Sequence, residues 1–278
     1  MPDIHPTAVV DRNANLADDV RIGPYSVIGP RVTIGTGTIL GSHCVITGRT
    51  TLGKYNRITH HICLGGDPQD LKYRGEDTRL DIGDFNTIRE HVTIHTGTEN
   101  GGGATTVGSH NLLMVNAHIA HDCHVANHCI LDNNVMLAGH VIVNDWAILS
   151  GAAAVSHYVT IGRHAFLGGV AGVVHDCPPY MISDGHPAHV RGPNKIGLQR
   201  RGFEPTTIDN IKKAFMLIWS KSRPQQSLAA ALEQVEAEMG QDPHVRELVV
   251  FTRNLTQAPA GRHAETIRRD DKRANNRN

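Results

Sequence analysis

The chain has 278 residues, enough for one elongated domain, or a large and a small one, with a sizeable core. Lysine plus arginine equal aspartate plus glutamate at 27 each, so overall charge singles out no partner and nucleic acid is not expected. The N-terminus MPDIHPTAVV has no basic segment followed by an apolar core, no apolar run could form a transmembrane segment, and the five cysteines are scattered without CxxC spacing; a soluble cytoplasmic protein without disulfides is expected.

From the start every sixth residue is aliphatic: Ile4, Val10, Leu16, Ile22, Ile28, Ile34, Leu40, Ile46, Leu52, Ile58 and Leu64. The count lapses there, resumes in phase at Ile82, Ile88 and Ile94, slips by one residue across GTENGGGATT, and runs unbroken from Val107 to Val173. Six suits neither a helix at 3.6 nor a plain strand at 2, but it suits a short strand and a sharp turn, repeated. The residue two before each aliphatic is mostly small or β-branched, as at Ala14, Ser26, Thr38, Ala117, Ala147 and Ala165, and strand alternation puts both inside. Cys44, Cys123 and Cys129 fall on this small inward position and read as core. Glycine often follows the aliphatic, as at Gly23, Gly35, Gly53 and Gly83, where the turn is expected to need positive φ. The pattern resembles the hexapeptide-repeat family. That resemblance implies a mainly β fold, a left-handed parallel β-helix with three hexads, hence eighteen residues, per triangular coil.

Two interruptions, at 66–77 (GDPQDLKYRGED) and 96–106, are expected to project as loops, a common place for function inside a strict repeat. The β-helix domain is expected over 1–190, with CPPYMISDGHPAHVRGPNKIGLQRRGF after Val173 as an irregular exit. A small C-terminal helical domain over 191–255 should follow. Its first helix spans Glu204–Ser220, with Ile208, Ile211, Phe215 and Ile218 on one face. Ser227 caps a second that buries Leu228, Leu232 and Val235 and ends at Gly240. Asp242-Pro243 opens a third carrying Val245, Leu248, Val249 and Phe251. The polar stretch 256–278 has almost nothing to bury and is expected to be disordered.

Chemistry concentrates in Asn111–His140, which holds His118, His121, His124, His128 and His140. With an eighteen-residue coil, His121, Gly139 and His157 form one column with steps of about 4.8 Å. That column sets an imidazole below a glycine amide, a base beside an oxyanion donor. Asp122 is the candidate to orient His121, provided a turn overcomes the tendency of adjacent strand residues to point oppositely. Gly151 and Gly169, also eighteen apart, leave two side chains missing on another edge, either for an acyl groove or merely to serve turns.

Five segments carry a closer resemblance: QDLKYRGEDTR at 69–79, REHVTIHTGT at 89–98, NLLMVNAHIAHDC at 111–123, LAGH at 137–140 and GLQRRGF at 197–203. Together they resemble the UDP-N-acetylglucosamine O-acyltransferases that begin lipid A biosynthesis, over about residues 2–255. The resemblance implies transfer of a 3-hydroxyacyl group from acyl carrier protein to the 3-hydroxyl of UDP-N-acetylglucosamine, by a homotrimer with sites between subunits. It implies His121 as general base, Asp122 as its partner and Gly139 as the oxyanion amide. Gln69, Asp70, Lys72, His118, His140, Asn194, Arg200 and Arg201 match substrate-binding positions, and Gly169 the position that sets acyl length. No metal or dissociable cofactor is expected, the phosphopantetheine arriving on the carrier protein. Arg191, Lys195, Arg200, Arg201, Lys212 and Lys213 either meet that acidic carrier or form an ordinary solvated face.

The chain departs from the family in two places. Ser156 stands where a histidine often follows Ala-Val, with His157 displaced by one, and Ile196 stands where an acidic residue often follows the asparagine of the NxxGL segment. The acceptor is therefore open between the 3-hydroxyl and a 3-amino analogue, which would give an amide. Three other readings remain: the paralogous N-acyltransferase later in the same pathway, which should carry an extra N-terminal domain; a zinc hydrolyase on the same β-helix with three histidines from two chains as ligands, for which His118, His121 and His140 are suggestive though H-x2-H is not that family's spacing; and a non-catalytic scaffold.

Overall fold

Three successive short strands carry the chain once around a triangular prism, and parallel pairing stacks each coil on the last. Ile4 pairs with Ile22, Val10 with Ile28 and Leu16 with Ile34, the eighteen-residue coil expected. The computed structural model, which describes residues 1–220 and 226–267, is a left-handed parallel β-helix followed by helices. Its first, second and third faces begin at Asp3–Ile4, Val9–Val10 and Asn15–Leu16. The aliphatic hexad positions fill the prism, and from Ile22 to Val173 none is more than 3% exposed. At the open lower end Ile4 is still 37% exposed, because no coil lies beneath it.

The corners correct the expectation about glycine. Positive φ falls on the third residue after the aliphatic, and it is seldom glycine: Tyr25, His43, Tyr55, Phe85, His110, His128, Trp146 and His164 all adopt it. Of the glycines that follow an aliphatic, Gly65 has positive φ, at 75°, whereas Gly23, Gly35, Gly53 and Gly83 have ordinary φ. They are glycine because a β-carbon would meet the next coil, as at Gly35, where it would lie 2.8 Å from the Gly53 carbonyl. The non-glycine corners offset their strain by stacking. On the edge between the third and first faces, Phe85, His110, His128 and Trp146 follow one another at centroid distances of 5.0, 4.8 and 3.9 Å.

The exit is more regular than expected. Met181–Gly185 pairs with Phe166–Leu167 and turns back antiparallel to Ala188–Pro193, adding two strands to the first face. The boundary expected at 190 thus falls inside a strand, and GLQRRGF lies largely in a short helix, α1 (Lys195–Arg200), capped by the Asn194 side chain. The three expected helices follow as α2 (Pro205–Trp219), α3 (Leu228–Met239) and α4 (Pro243–Gln257). Ser227 and Asp242 cap the last two, and Ile208, Ile211, Ile218, Leu232, Val235, Leu248 and Val249 make a second core against Tyr180 and Met181. Residues 258–267 are also built into the fold, contrary to the disorder expected from 256. The buried Asp176 carboxylate accepts from the amides of Thr160 and His263, tying that segment to the last coil by polar contacts that hydrophobic patterning does not reveal. The rest of the expected tail, 268–278, lies outside the described residues.

Candidate active site

The edge between the second and third faces collects most of the chemistry. Both loops leave from it: the first joins Cys63–Gly66 to Arg79–Ile82, the second Thr93–His95 to Ala104–Val107. The second is shorter than expected, since Ala104–Thr106 is already strand. On the coils above stand the predicted column and its neighbours, with His140 N donating to His121 O and Tyr158 N to Gly139 O.

Asp122 adopts φ 59°, so the alternation that would part it from His121 does not apply. His121 Nδ1 lies 2.7 Å from Asp122 Oδ2. The carboxylate also accepts from the Thr98 amide at 2.7 Å and the Thr98 hydroxyl at 2.6 Å, and His140 Nε2 stands 3.8 Å away. Burial pushes the Asp122 carboxyl up, but the hydrogen bonds from His121 and Thr98 outweigh it and hold the group below the usual carboxylate range. An ionised Asp122 requires the proton of a neutral His121 to sit on Nδ1, which leaves Nε2 as the acceptor. Gly139 lies against that edge of the ring: a β-carbon there would be 2.7 Å from Nε2. The arrangement can draw a proton from a nucleophile beside a backbone amide.

His95 joins this group without having been singled out from sequence. The register Thr93↔His118 sets it one strand below, and its ring meets His118 edge-on at 5.0 Å. Its Nδ1 is buried with no partner among the described residues. Burial, then the charges of His118 and His121, push His95 down to about 4. His118 Nδ1 is 2.7 Å from the Thr93 hydroxyl, and burial lowers it as well.

His121, Asp122 and His140 present ligand-type atoms within 4.8 Å of one another. Within one chain His118 is not of this set. The Asp122 oxygens are already committed to Thr98 and His121, which suits a hydrogen-bonded catalytic group better than a metal centre.

The other predicted residues lie apart. Gln69, Asp70 and Lys72 sit in the first loop, where Asp70 accepts from the Lys72 amide; among the described residues no hydrogen bond joins the three to His121. Gly151 and Gly169 stack on the edge between the first and second faces. Neither has positive φ, and a β-carbon on Gly169 would make ordinary contact, 3.5 Å from the Gly151 carbonyl oxygen. No turn demands glycine there; what the pair supplies is space. That edge and the histidine edge bound the same second face, whose outward side chains between them include His118, Met136 and Ala154. Asn194, Arg200 and Arg201 lie by the remaining edge. The Asn194 amide is occupied by the Gly197 amide and the His164 carbonyl, and the Arg201 guanidinium covers Trp146 at 3.9 Å. Ser156 is half-buried and His157 exposed.

Comparison with known proteins shows the family. The family model described as UDP-N-acetylglucosamine O-acyltransferase, domain 2, matches residues 176–260, and the bacterial transferase hexapeptide model matches residues 4–48. An acyl-[acyl-carrier-protein]–UDP-N-acetylglucosamine O-acyltransferase of Myxococcus xanthus is 49% identical over 90% of this chain and 96% of its own length. That of Thiobacillus denitrificans is 46% identical with the same coverage. The chain belongs to this acyltransferase family. The structure of LpxA from Acinetobacter baumannii superposes with a TM-score of 0.84 at 42% identity, covering 88% of this chain and 95% of that one.

For an acyltransferase of this family the cysteines matter, because a thiolate could form a covalent intermediate. Burial pushes Cys123, Cys129 and Cys177 up to about 12, and it raises Cys44. Cys63 is exposed but lies two strands below His118 on the second face, about 10 Å away at the usual strand spacing.

Proposed function

We propose that this acyltransferase moves a 3-hydroxyacyl group from the thioester of acyl carrier protein to the 3-hydroxyl of UDP-N-acetylglucosamine, the step that begins lipid A biosynthesis, by direct attack. The observation that carries the reading is the contact between His121, polarised by Asp122, and Gly139. His121 Nε2 takes the hydroxyl proton as the oxygen attacks the thioester carbon, and the Gly139 amide stabilises the oxyanion. Collapse breaks the C–S bond, and the imidazolium returns its proton to the departing phosphopantetheine thiolate. His118, His95 and His140 line the approach beside the base. The acyl chain runs across the second face towards the space left at Gly151 and Gly169.

We infer that the complete site forms between copies in a homotrimer. Arg200, Arg201 and Asn194 lie by the third–first edge, whereas His121 and both loops lie on the second–third edge. One prism cannot turn both towards one substrate, but an edge of one copy can face another edge of its neighbour.

The test is transfer from a series of 3-hydroxyacyl carrier proteins to UDP-N-acetylglucosamine and, in parallel, to its 3-amino analogue, using wild type and His121→Ala. Transfer to the hydroxyl that disappears in the variant supports the proposal. Transfer only to the amine reassigns the acceptor, which the exposed Ile196 in α1 makes worth measuring. Substantial turnover by His121→Ala removes His121 as the base.

A further inference from the structure

The coil that contains the second loop is longer than the coil above it. Ile82 pairs with Val107, 25 residues on, whereas Val107 pairs with Val125 after eighteen. The insertion contains a three-residue 3-10 turn, Glu99–Gly101, capped by Thr98, and the turn lies over Asp122. Thr98 is only 5% exposed and donates both its amide and its hydroxyl to the carboxylate, one to each oxygen. The same hydroxyl accepts from the Gly101 amide, so the cap and the carboxylate share one group. Across the strand, the Thr105 hydroxyl accepts the Asp122 amide at 2.8 Å. Any side chain on Gly101 would collide with the Asp122 carboxylate.

We propose that Thr98 is a positioning residue and that the second loop is a clamp, built to hold Asp122 in its left-handed corner with one oxygen aimed at His121. The inference rests on the base assignment proposed above. An unclamped Asp122 could rotate its carboxylate towards His140, the other imidazole within reach. With two donors fixed on it, Oδ2 is held 2.7 Å from His121 Nδ1, which favours the tautomer with Nε2 unprotonated. Gly101 is part of the device because the turn must approach the carboxylate with no intervening atom.

The experiment compares Thr98→Val, Thr98→Ser and Gly101→Ala in the full-length protein. Valine keeps the amide and the β-branch but removes the hydroxyl; serine restores it. The expected result is a fall in kcat of about tenfold or more for Thr98→Val, the scale seen when partners that orient a reacting group are lost. The KM for UDP-N-acetylglucosamine should stay within about twofold, because the role proposed for Thr98 is to orient the base and not to bind the sugar. Thr98→Ser should recover most of the rate, and Gly101→Ala should resemble valine. Nitrogen-15 NMR of histidine-labelled protein supplies a readout independent of turnover: the strongly hydrogen-bonded Nδ1 proton of His121 should be present in wild type and serine and weakened in valine. Valine with wild-type kcat and an unchanged His121 signal overturns the clamp, as does serine equal in defect to valine. A wild type that transfers no acyl group would count against the proposed function, and the NMR comparison would then decide the clamp alone.

Discussion

Gly139 packs so closely above His121 that a β-carbon on it would lie 2.5 Å from the ring's Cε1 and 2.7 Å from Nε2. Because Gly139 does not occupy positive φ, alanine suits its backbone, and only the imidazole has to move. Gly139→Ala should therefore fold with a melting temperature near that of wild type yet lose about a hundredfold in kcat, the effect of misplacing a reacting group by about 1 Å. Thermal unfolding beside steady-state kinetics checks both halves. A variant that unfolds, or one that turns over normally, contradicts this account of the glycine.

Asp122→Asn separates charge from shape. An amide keeps the volume in a side chain with no exposure, but it cannot accept from Thr98 and His121 on both sides while supporting an imidazolium. A loss of about 10⁴ in kcat is expected, as for the equivalent change in a serine protease triad. Activity within tenfold of wild type would show that His121 needs no ionised partner.

Which of these features could be seen in the sequence depends on whether they repeat. Ile22 to Val173 reveal the prism because each coil asks the same residue of the same position, and the column of His121 and Gly139 follows by counting eighteens. Thr98 could not be found that way: it lies 24 residues before Asp122, across the insertion that shifts the count. His95 was hidden by the same shift. The left-handed corner at Asp122 was invisible because the repeat marks it with no residue type, using Tyr, His, Asn and Trp alike. The hairpin 181–193 escaped because it is read by neither period; it is held by pairing to Phe166–Leu167 and by Asn194, whose amide reaches the His164 carbonyl.

His164 should make the fold sensitive to mild acid. It is stacked between Trp146 and Tyr180, with Phe203 edge-on at 4.9 Å. Burial, then the charges of Arg163, Arg201 and His244, push it down to about 4. An unfolded histidine titrates near 6.5, so between about pH 4 and 6.5 the unfolded chain binds more protons, and stability rises with pH across that window. At pH 5 this residue alone should weaken folding by about 2 kcal/mol relative to pH 7. His164→Phe keeps the stack, at a corner conformation that Phe85 already adopts with φ 57°, and removes the titration. Denaturant unfolding at pH 5 and pH 7 should show a smaller difference in the variant; an identical difference would mean that His164 is not held neutral.

Gly169→Met tests whether the empty column is a ruler. Glycine there is 3.5 Å, as a notional β-carbon, from the Gly151 carbonyl oxygen, and its φ is ordinary, so a longer side chain can be built without straining the coil. The added thioether would occupy the space beyond the second face, at the far side from His121, where the proposed path puts the end of the acyl chain. Long donors should lose kcat/KM steeply while short ones keep it, since only the former reach the obstruction. The opposite result is equally informative: if every chain length slows by the same factor, the column contacts the donor near its thioester or the carrier protein itself. If none slows, the chain takes another path, and the two glycines are space that the reaction does not use.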